Sequence, residues 1–386
     1  MLALDGILVL DLTRRYPGSY SAMFLGDFGA QVIKVDPPPA INRYPGGSPQ
    51  SEKYAAFFAP DRNKRNIIID LGKKQGQQAF YRLVKKADVL IESFRPGVMK
   101  GLGADYPTLQ EMNPRLIYCS LTGFGPDGPY SHLPAHDGNY CAIAGALSLI
   151  GPRDGPPSFP SNFLADMAGA GLHGVIGILI AILARGRTGR GQFVDISYVD
   201  GVLSLLSMEA SRYFATGKVP HRGETVSTGG SPRVQVFQCS DGEYFTIGCA
   251  EPHFWENLCR ALGREDLITS HEGDRVVADM AQIFLTRTRD EWFEFLKDKD
   301  TCVGPVFNLG ETFSDPQVLH RQMVVDLEHP TLGRVKQVGI PIKLSETPGE
   351  IRSLGTPSGS DTDQILSDLG YSPDEIKGMH AEGAVE

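Results

Sequence analysis

Two ionisable side chains stand out between Ala135 and Asp200 because their neighbours do not explain them. His136 sits in the polar cluster Ala135-His136-Asp137-Gly138-Asn139-Tyr140. Asp166 stands alone in Asn162-Phe163-Leu164-Ala165-Asp166-Met167-Ala168-Gly169-Ala170-Gly171, where a small-residue helix begins. A carboxylate among Ala165, Met167 and Ala168 loses water, and desolvation raises its pKa toward the range useful in proton transfer. An imidazole changes charge near neutrality, so the pair has the chemistry of a general base and a general acid. Each residue also has a plainer reading. Asp166 can be an anion at a helix start, stabilised by roughly 0.3–1 kcal/mol through the helix dipole. His136 can be the hydrogen-bonded structural partner of its neighbour Asp137. Glu251 precedes Pro252, a favoured first helical residue, and reads equally as a helix-start carboxylate.

The elements that must position these residues follow from periodicity. Ile7–Leu12, Gln31–Val35, Ile67–Leu71, Val89–Ile91 and Leu116–Leu121 read as short buried strands. Helical segments at Ser19–Gly29 and Lys73–Lys86 alternate with them, the second with Phe80, Leu83 and Val84 at helix spacing. This alternation predicts an α/β, Rossmann-like, doubly wound domain over residues 1–205, with its ligand site beyond the carboxyl ends of the strands. The first turn has no GxGxxG, so a nicotinamide dinucleotide is not expected. Ile41–Asp61 reads as a loop rich in Pro, Gly and Ser. After Val202 the pattern changes. Residues 206–224 read as a linker. Val234–Phe237 and Tyr244–Ile247, joined through Ser240-Asp241-Gly242, read as a hairpin, and helices near 251–262, 276–287 and 290–297 complete a smaller α+β domain over 225–320.

At 386 residues the chain can bury substantial cores, and 41% hydrophobic with 22% charged residues is ordinary for a globular protein. A net charge of −9 argues against nucleic acid as a partner, which needs concentrated basic surface. The six cysteines, at 119, 141, 239, 249, 259 and 302, show neither CxxC nor zinc-ligand spacing, so no metal is expected and reduced thiols of a cytoplasmic protein are. The longest apolar stretch, Met167–Ala184, is interrupted by His173 and by Gly169, Gly171, Gly174 and Gly177. It reads as a buried helix packed through its glycines, with no membrane span. The basic groups Lys64-Arg65 and Arg185–Arg190 read as solvated turns.

The words HDGNYCAIAGALSLIG, NFLADMAGAGL and RTGRGQFVDISYVDG resemble the type III CoA-transferase superfamily, and within it the α-methylacyl-CoA racemases. The likeness runs from LDGILVLDLT to the C-terminal acidic stretch. It implies an acyl-CoA thioester as substrate, with coenzyme A arriving as part of it and no further cofactor required. It implies His136 and Asp166 on opposite faces of the substrate α-carbon, moving a proton through an enolate, with Glu251 holding the imidazole. Coenzyme A is expected against Ile69, Asp70, Leu71, Arg95, Ala135, Asp137, Gly138, Asn139 and Tyr140, the main chain of Asp137 meeting the thioester oxygen and its side chain mattering less. Residues 321–386 are expected to return to the large domain, and two chains to interlock as a homodimer. In the transferases the residue at Asp166 attacks the acyl carbonyl instead and forms a mixed anhydride. They usually lack the histidine and often carry a glycine-rich lid, where this chain has Thr228-Gly229-Gly230-Ser231-Pro232. Two positions depart from the family: Pro37 replaces an arginine and Gly72 a lysine, with Lys73 and Lys74 adjacent. His173 also departs, two turns from Asp166, and is assigned to packing. A non-catalytic acyl-CoA-binding relative is a further class, against which the presence of His136, Asp166 and Glu251 together counts.

Overall fold

The apolar runs of the first two hundred residues form one parallel sheet. The computed structural model describes residues 1–39, 52–270 and 273–386. The strands are β1 (Leu8–Asp11), β2 (Gln31–Asp36), β3 (Lys64–Ile68), β4 (Val89–Glu92), β5 (Ile117–Thr122) and β6 (Phe193–Ser197), in the order β3-β2-β1-β4-β5-β6. Every pairing is parallel. Val9, Leu10, Ile67, Leu90 and Ile91 are fully buried, as strands covered on both faces require. This is the doubly wound Rossmann order expected from the sequence. The direction of winding reverses between β1 and β4, which opens a crevice at their carboxyl ends.

Two strands differ from the sequence reading. β3 begins at Lys64, three residues before the apolar run, because Lys64 is buried rather than solvated: its Nζ donates to Asp11 Oδ2 at 2.8 Å. The run's end, Ile69-Asp70-Leu71, consequently projects past the strand. β6 has no counterpart among the strands expected from the sequence: Phe193 and Asp195 are exposed and Val194 is half-buried, so the segment carries no buried apolar run. Arg185 likewise leaves the solvated class, being buried with Nη2 2.9 Å from Asp88. Of the loop expected over 41–61, residues 41–51 lie outside the described residues. The remainder is the helix Glu52–Phe57 and a 3-10 turn at Ala59–Asp61.

One compact unit comprises Met1–Ala144, Pro160–Leu205 and Leu319–Glu386. Within it a continuous helix runs Phe163–Thr188. Its first ten residues are wound wide, with i→i+5 geometry: the first internal donor is Met167 N–H, to Asn162 O at 3.3 Å. The expected glycine packing is present. A Cβ on Gly171 would lie 3.0 Å from the Tyr20 ring, on Gly174 2.9 Å from Ser21 Oγ, and on Gly177 2.8 Å from Val194. Gly201, in the helix Tyr198–Leu205, approaches so closely that its Cβ would sit 2.0 Å from the Gly169 carbonyl oxygen. By length and composition the helix is apolar enough to cross a membrane, at a mean hydropathy of 2.1. These contacts instead seat its glycine face on the helix Tyr16–Asp27 and on β6. At the other end of the chain, the helices Thr362–Asp368 and Pro373–Ala381 place Ile365, Leu366, Ile376 and Met379 in the core beside Phe80 and Leu83. There the Asp70 N–H donates to Ala384 O at 2.9 Å.

The second unit comprises Gly145–Phe159 and Leu206–Val318. Its antiparallel strands β7 (Val234–Gln238), β8 (Tyr244–Gly248) and β9 (Val303–Pro305) cover a core in which Phe237 stacks on Phe284 at 5.0 Å and Phe284 meets Trp292 at 5.0 Å. The stretch read as a linker, 206–224, holds the helix Ser207–Thr216. It also fastens the Gly145–Phe159 part of this unit, since the Arg222 guanidinium donates to the Ser148 and Gly155 carbonyls at 2.9 and 2.8 Å.

Candidate functional site

A cavity of about 1000 Å³ opens at the switch point of the parallel sheet. Its wall is drawn from the loop after β1 (Arg14 and Arg15), the first turn of the helix Tyr16–Asp27, the segments that follow β3 and β4, and the start of the helix Asp137–Ile143. Both proton-transfer candidates, His136 and Asp166, line it. So do Ile69, Asp70, Leu71, Arg95, Ala135, Asn139 and Tyr140. Ile69–Leu71 and Arg95 adjoin because each follows a strand's carboxyl end, where a doubly wound sheet gathers its loops. Pro37 and Gly72, the two departures, line the same cavity. Asp137 and Gly138 do not line it, and Glu251 belongs to the second unit. There Glu251 occupies the N-cap of the helix Pro252–Ala261, with extended backbone and Pro252 first, as its plainer reading required.

The loops that carry the lining are fixed by buried charge. Asp11 Oδ1 accepts the Thr13 N–H at 2.9 Å and the Thr13 hydroxyl at 2.6 Å, setting the turn after β1. Burial would raise the Asp11 carboxyl, but Lys34 and Lys64 together hold it well below the usual carboxylate range. Arg14 bridges to Asp36 at 3.2 Å, and its guanidinium lies 5.4 Å from the Phe94 ring centre. At the end of β4, Glu92 accepts the Phe94 N–H at 2.7 Å and the Ser120 hydroxyl, which sets the turn leading to Arg95. Burial pushes the Glu92 carboxyl up to about 7.

His136 is the N-cap of the helix Asp137–Ile143 and is exposed. Its N–H donates to Asn139 Oδ1 at 3.1 Å, and the Asn139 N–H returns to the His136 carbonyl at 2.9 Å. Asp166 is partly buried, and burial followed by repulsion from Asp137 pushes its carboxyl up to about 6, against the pull of Arg15. Both readings of Asp166 are therefore realised, since it stands in the helix's first turn and is also desolvated.

Sequence reasoning missed three features. Arg14 and Arg15 line the cavity; their signal was two adjacent cations in the first loop after a Rossmann strand. The Asp137 side chain is 7% exposed, and its Oδ2 accepts the N–H groups of Ala165 and Asp166 at 2.9 and 2.8 Å. Its carboxylate thus has a defined role, contrary to the expectation that it matters less than the main chain. His173 packs with a defined structural bond in its own helix. Its Nδ1 lies 2.8 Å from Ala168 O, and because a carbonyl only accepts, that nitrogen carries the proton.

A cavity of this size at the switch point of a Rossmann-order sheet, walled by strand-end loops, defines an α/β ligand-binding protein. Residues 4–362 match the model of CoA-transferase family III, and the chain belongs to that family as a CoA-utilising enzyme. It is 34% identical to human α-methylacyl-CoA racemase over all of this chain and 98% of that protein. It is 32% identical to the succinyl-CoA–L-malate CoA-transferase alpha subunit of Chloroflexus aurantiacus, over 98% of this chain and 92% of that one. A CAIB/BAIF family protein from Brucella suis superposes with a TM-score of 0.80 at 30% identity, covering 95% of this chain and 99% of its own.

Proposed function

We propose that this enzyme is an acyl-CoA racemase acting at the α-carbon of a 2-methyl-branched acyl-CoA. The observation that carries the reading is that His136 and Asp166 line one cavity, with the Asp166 carboxyl raised to about 6. An ionised Asp166 takes the α-proton from one epimer. The electron pair moves onto the thioester oxygen, and the resulting enolate receives the imidazolium proton of His136 on its opposite face. The reverse reaction exchanges the two roles, so the enzyme gains and loses no proton overall. The main-chain N–H of Asp137, at the start of the helix whose N-cap His136 borders the cavity, is the donor this reading assigns to the developing oxyanion. Coenzyme A enters with the substrate along Ile69-Asp70-Leu71 and Arg95.

A CoA-transferase with Asp166 as nucleophile is the second reading, favoured by the near-equal identity to the malate enzyme. Against it stands the histidine in the cavity. The Thr228–Pro232 stretch also counts against it, being a tied turn rather than an open lid: the Gln235 side chain donates to the Ser231 carbonyl at 2.9 Å, and a Cβ on Gly230 would strike Glu224. The deciding experiment is ¹H NMR of a 2-methylacyl-CoA with the enzyme in D₂O. Deuterium appears at C2 with no acceptor acid present and no change in CoA ownership. Absence of exchange, together with CoA transfer to an added carboxylate, establishes the transferase.

The working unit in this reading is a cytoplasmic homodimer of interlocked chains. Ile176, Ile180 and Leu183 leave an apolar stripe exposed along the long helix at 51, 59 and 70%, a surface suited to a second copy. Sedimentation at micromolar concentration should give a dimer, and a stable folded monomer would sink the proposal.

A further inference from the structure

The first turn of the helix Phe163–Leu172 has a problem that its own main chain does not solve. Because the winding is wide and the first internal donor is Met167 N–H, the amides of Ala165 and Asp166 are left without helical acceptors. Asp137 supplies them. One carboxylate oxygen takes both N–H groups at 2.9 and 2.8 Å, while the other accepts the Cys141 thiol at 3.4 Å. An anion buried to this degree is costly unless it is hydrogen-bonded, and here three donors and the positive end of a helix meet it. Asp137 is also the next residue after His136. A single side chain therefore ties the backbone that carries the imidazole to the backbone that carries Asp166.

We infer that the Asp137 carboxylate is a positioning residue for Asp166, acting both as the acceptor that fixes its helical turn and as the negative charge that makes it a stronger base. The inference deepens the racemase reading and rests on it for the catalytic consequence. The two effects are separable. Asparagine keeps an acceptor oxygen and drops the charge, whereas alanine drops both.

The other groups that act on Asp166 come from three elements. Arg15, on the loop after β1, opposes its protonation. Tyr140 and Cys141, on the helix Asp137–Ile143, and Tyr198, on the helix Tyr198–Leu205, are groups whose ionisation Asp166 itself opposes. The Tyr198 phenol and the Cys141 thiol are both held well above neutrality, first by burial, so neither changes charge near pH 6. His136 shares the cavity.

The sign of the pH effect follows from the shared proton. The two forms that bind opposite epimers, Asp⁻/HisH⁺ and AspH/His⁰, carry the same number of protons. A second proton on this pair disables both, so the acidic limb of kcat/KM is common to both epimers, and the raised Asp166 carboxyl contributes to it.

In Asp137→Asn the acidic limb should move to lower pH by up to roughly one unit for both epimers, because one neighbouring negative charge is gone. In Asp137→Ala, kcat at the pH optimum should fall well below that of the asparagine variant with KM little changed, the mark of lost transition-state alignment. Asparagine should thus rescue rate while leaving the limb displaced. A limb that coincides with the unmodified enzyme's, or an alanine variant as fast as asparagine, overturns the inference. A measurement independent of racemisation separates this from failure of the functional reading. Carbon NMR titration of the Asp166 carboxyl, assigned by its loss in Asp166→Asn, should report a lower pKa in Asp137→Asn even if no α-exchange exists. Asp137→Ser, a second neutral acceptor, serves the same titration if the asparagine variant does not fold, and an unchanged Asp166 titration refutes the inference in either variant.

Discussion

His136→Ala should abolish interconversion of 2R and 2S thioesters while leaving hydrogen exchange from one epimer largely intact. Asp166 still faces one side of the α-carbon in this variant. It can remove that proton, exchange it with solvent and return a deuteron to the same face. The other epimer presents its proton to the empty imidazole side. Its exchange should slow by ~10²–10⁴, the usual cost of losing a general base. Truncation at an exposed N-cap leaves the Asn139–His136 main-chain bonds in place, so the helix Asp137–Ile143 should survive the change. ¹H NMR on the separated epimers in D₂O reads the asymmetry directly. Equal, slight slowing of both epimers, with an adduct on Asp166 trapped by hydroxylamine, would overturn the racemase assignment.

The mirror experiment has an equally large effect. Asp166→Asn keeps the size of the side chain and removes the base, so exchange should collapse by ~10²–10⁴ for the epimer that His136→Ala spares. In the unmodified enzyme the Asp166 carboxyl is raised to about 6, first by burial. The sign is fixed by the role. Asp166 accepts a proton only when ionised, so the unmodified enzyme loses activity as the pH falls through its raised pKa. In a transferase the same substitution removes the nucleophile, and turnover with every acyl donor should vanish. Mass spectrometry of the peptide carrying residue 166, after incubation with acyl-CoA and hydroxylamine, separates the two. A racemase leaves that peptide unmodified in the native enzyme, and a hydroxamate there establishes the anhydride route.

Much of this protein was legible before folding was considered. The alternation of short apolar runs with amphipathic helices announces a doubly wound sheet because strands buried on both faces must be apolar throughout. An aspartate among Ala165, Met167 and Ala168 announces a desolvated carboxylate because its nearest neighbours are fixed by the chain itself. The glycines of the long helix announce close packing because a missing side chain at helical spacing serves little else. All three are local signals. What only the tertiary structure decided depends on residues far apart in sequence. Lys64 enters β3 because Asp11, 53 residues away, neutralises it where burial would otherwise forbid it. Phe193–Ser197 becomes a strand because β5 offers an open edge, not because its own pattern demands one. Asp137 acquires a purpose when the wide winding of a helix 28 residues on leaves two amides for it to hold. Sequence periodicity reports which face of an element seeks the core. It does not report where a buried charge finds its partner, since that is settled by the few ångströms over which a hydrogen bond acts once the chain has closed on itself.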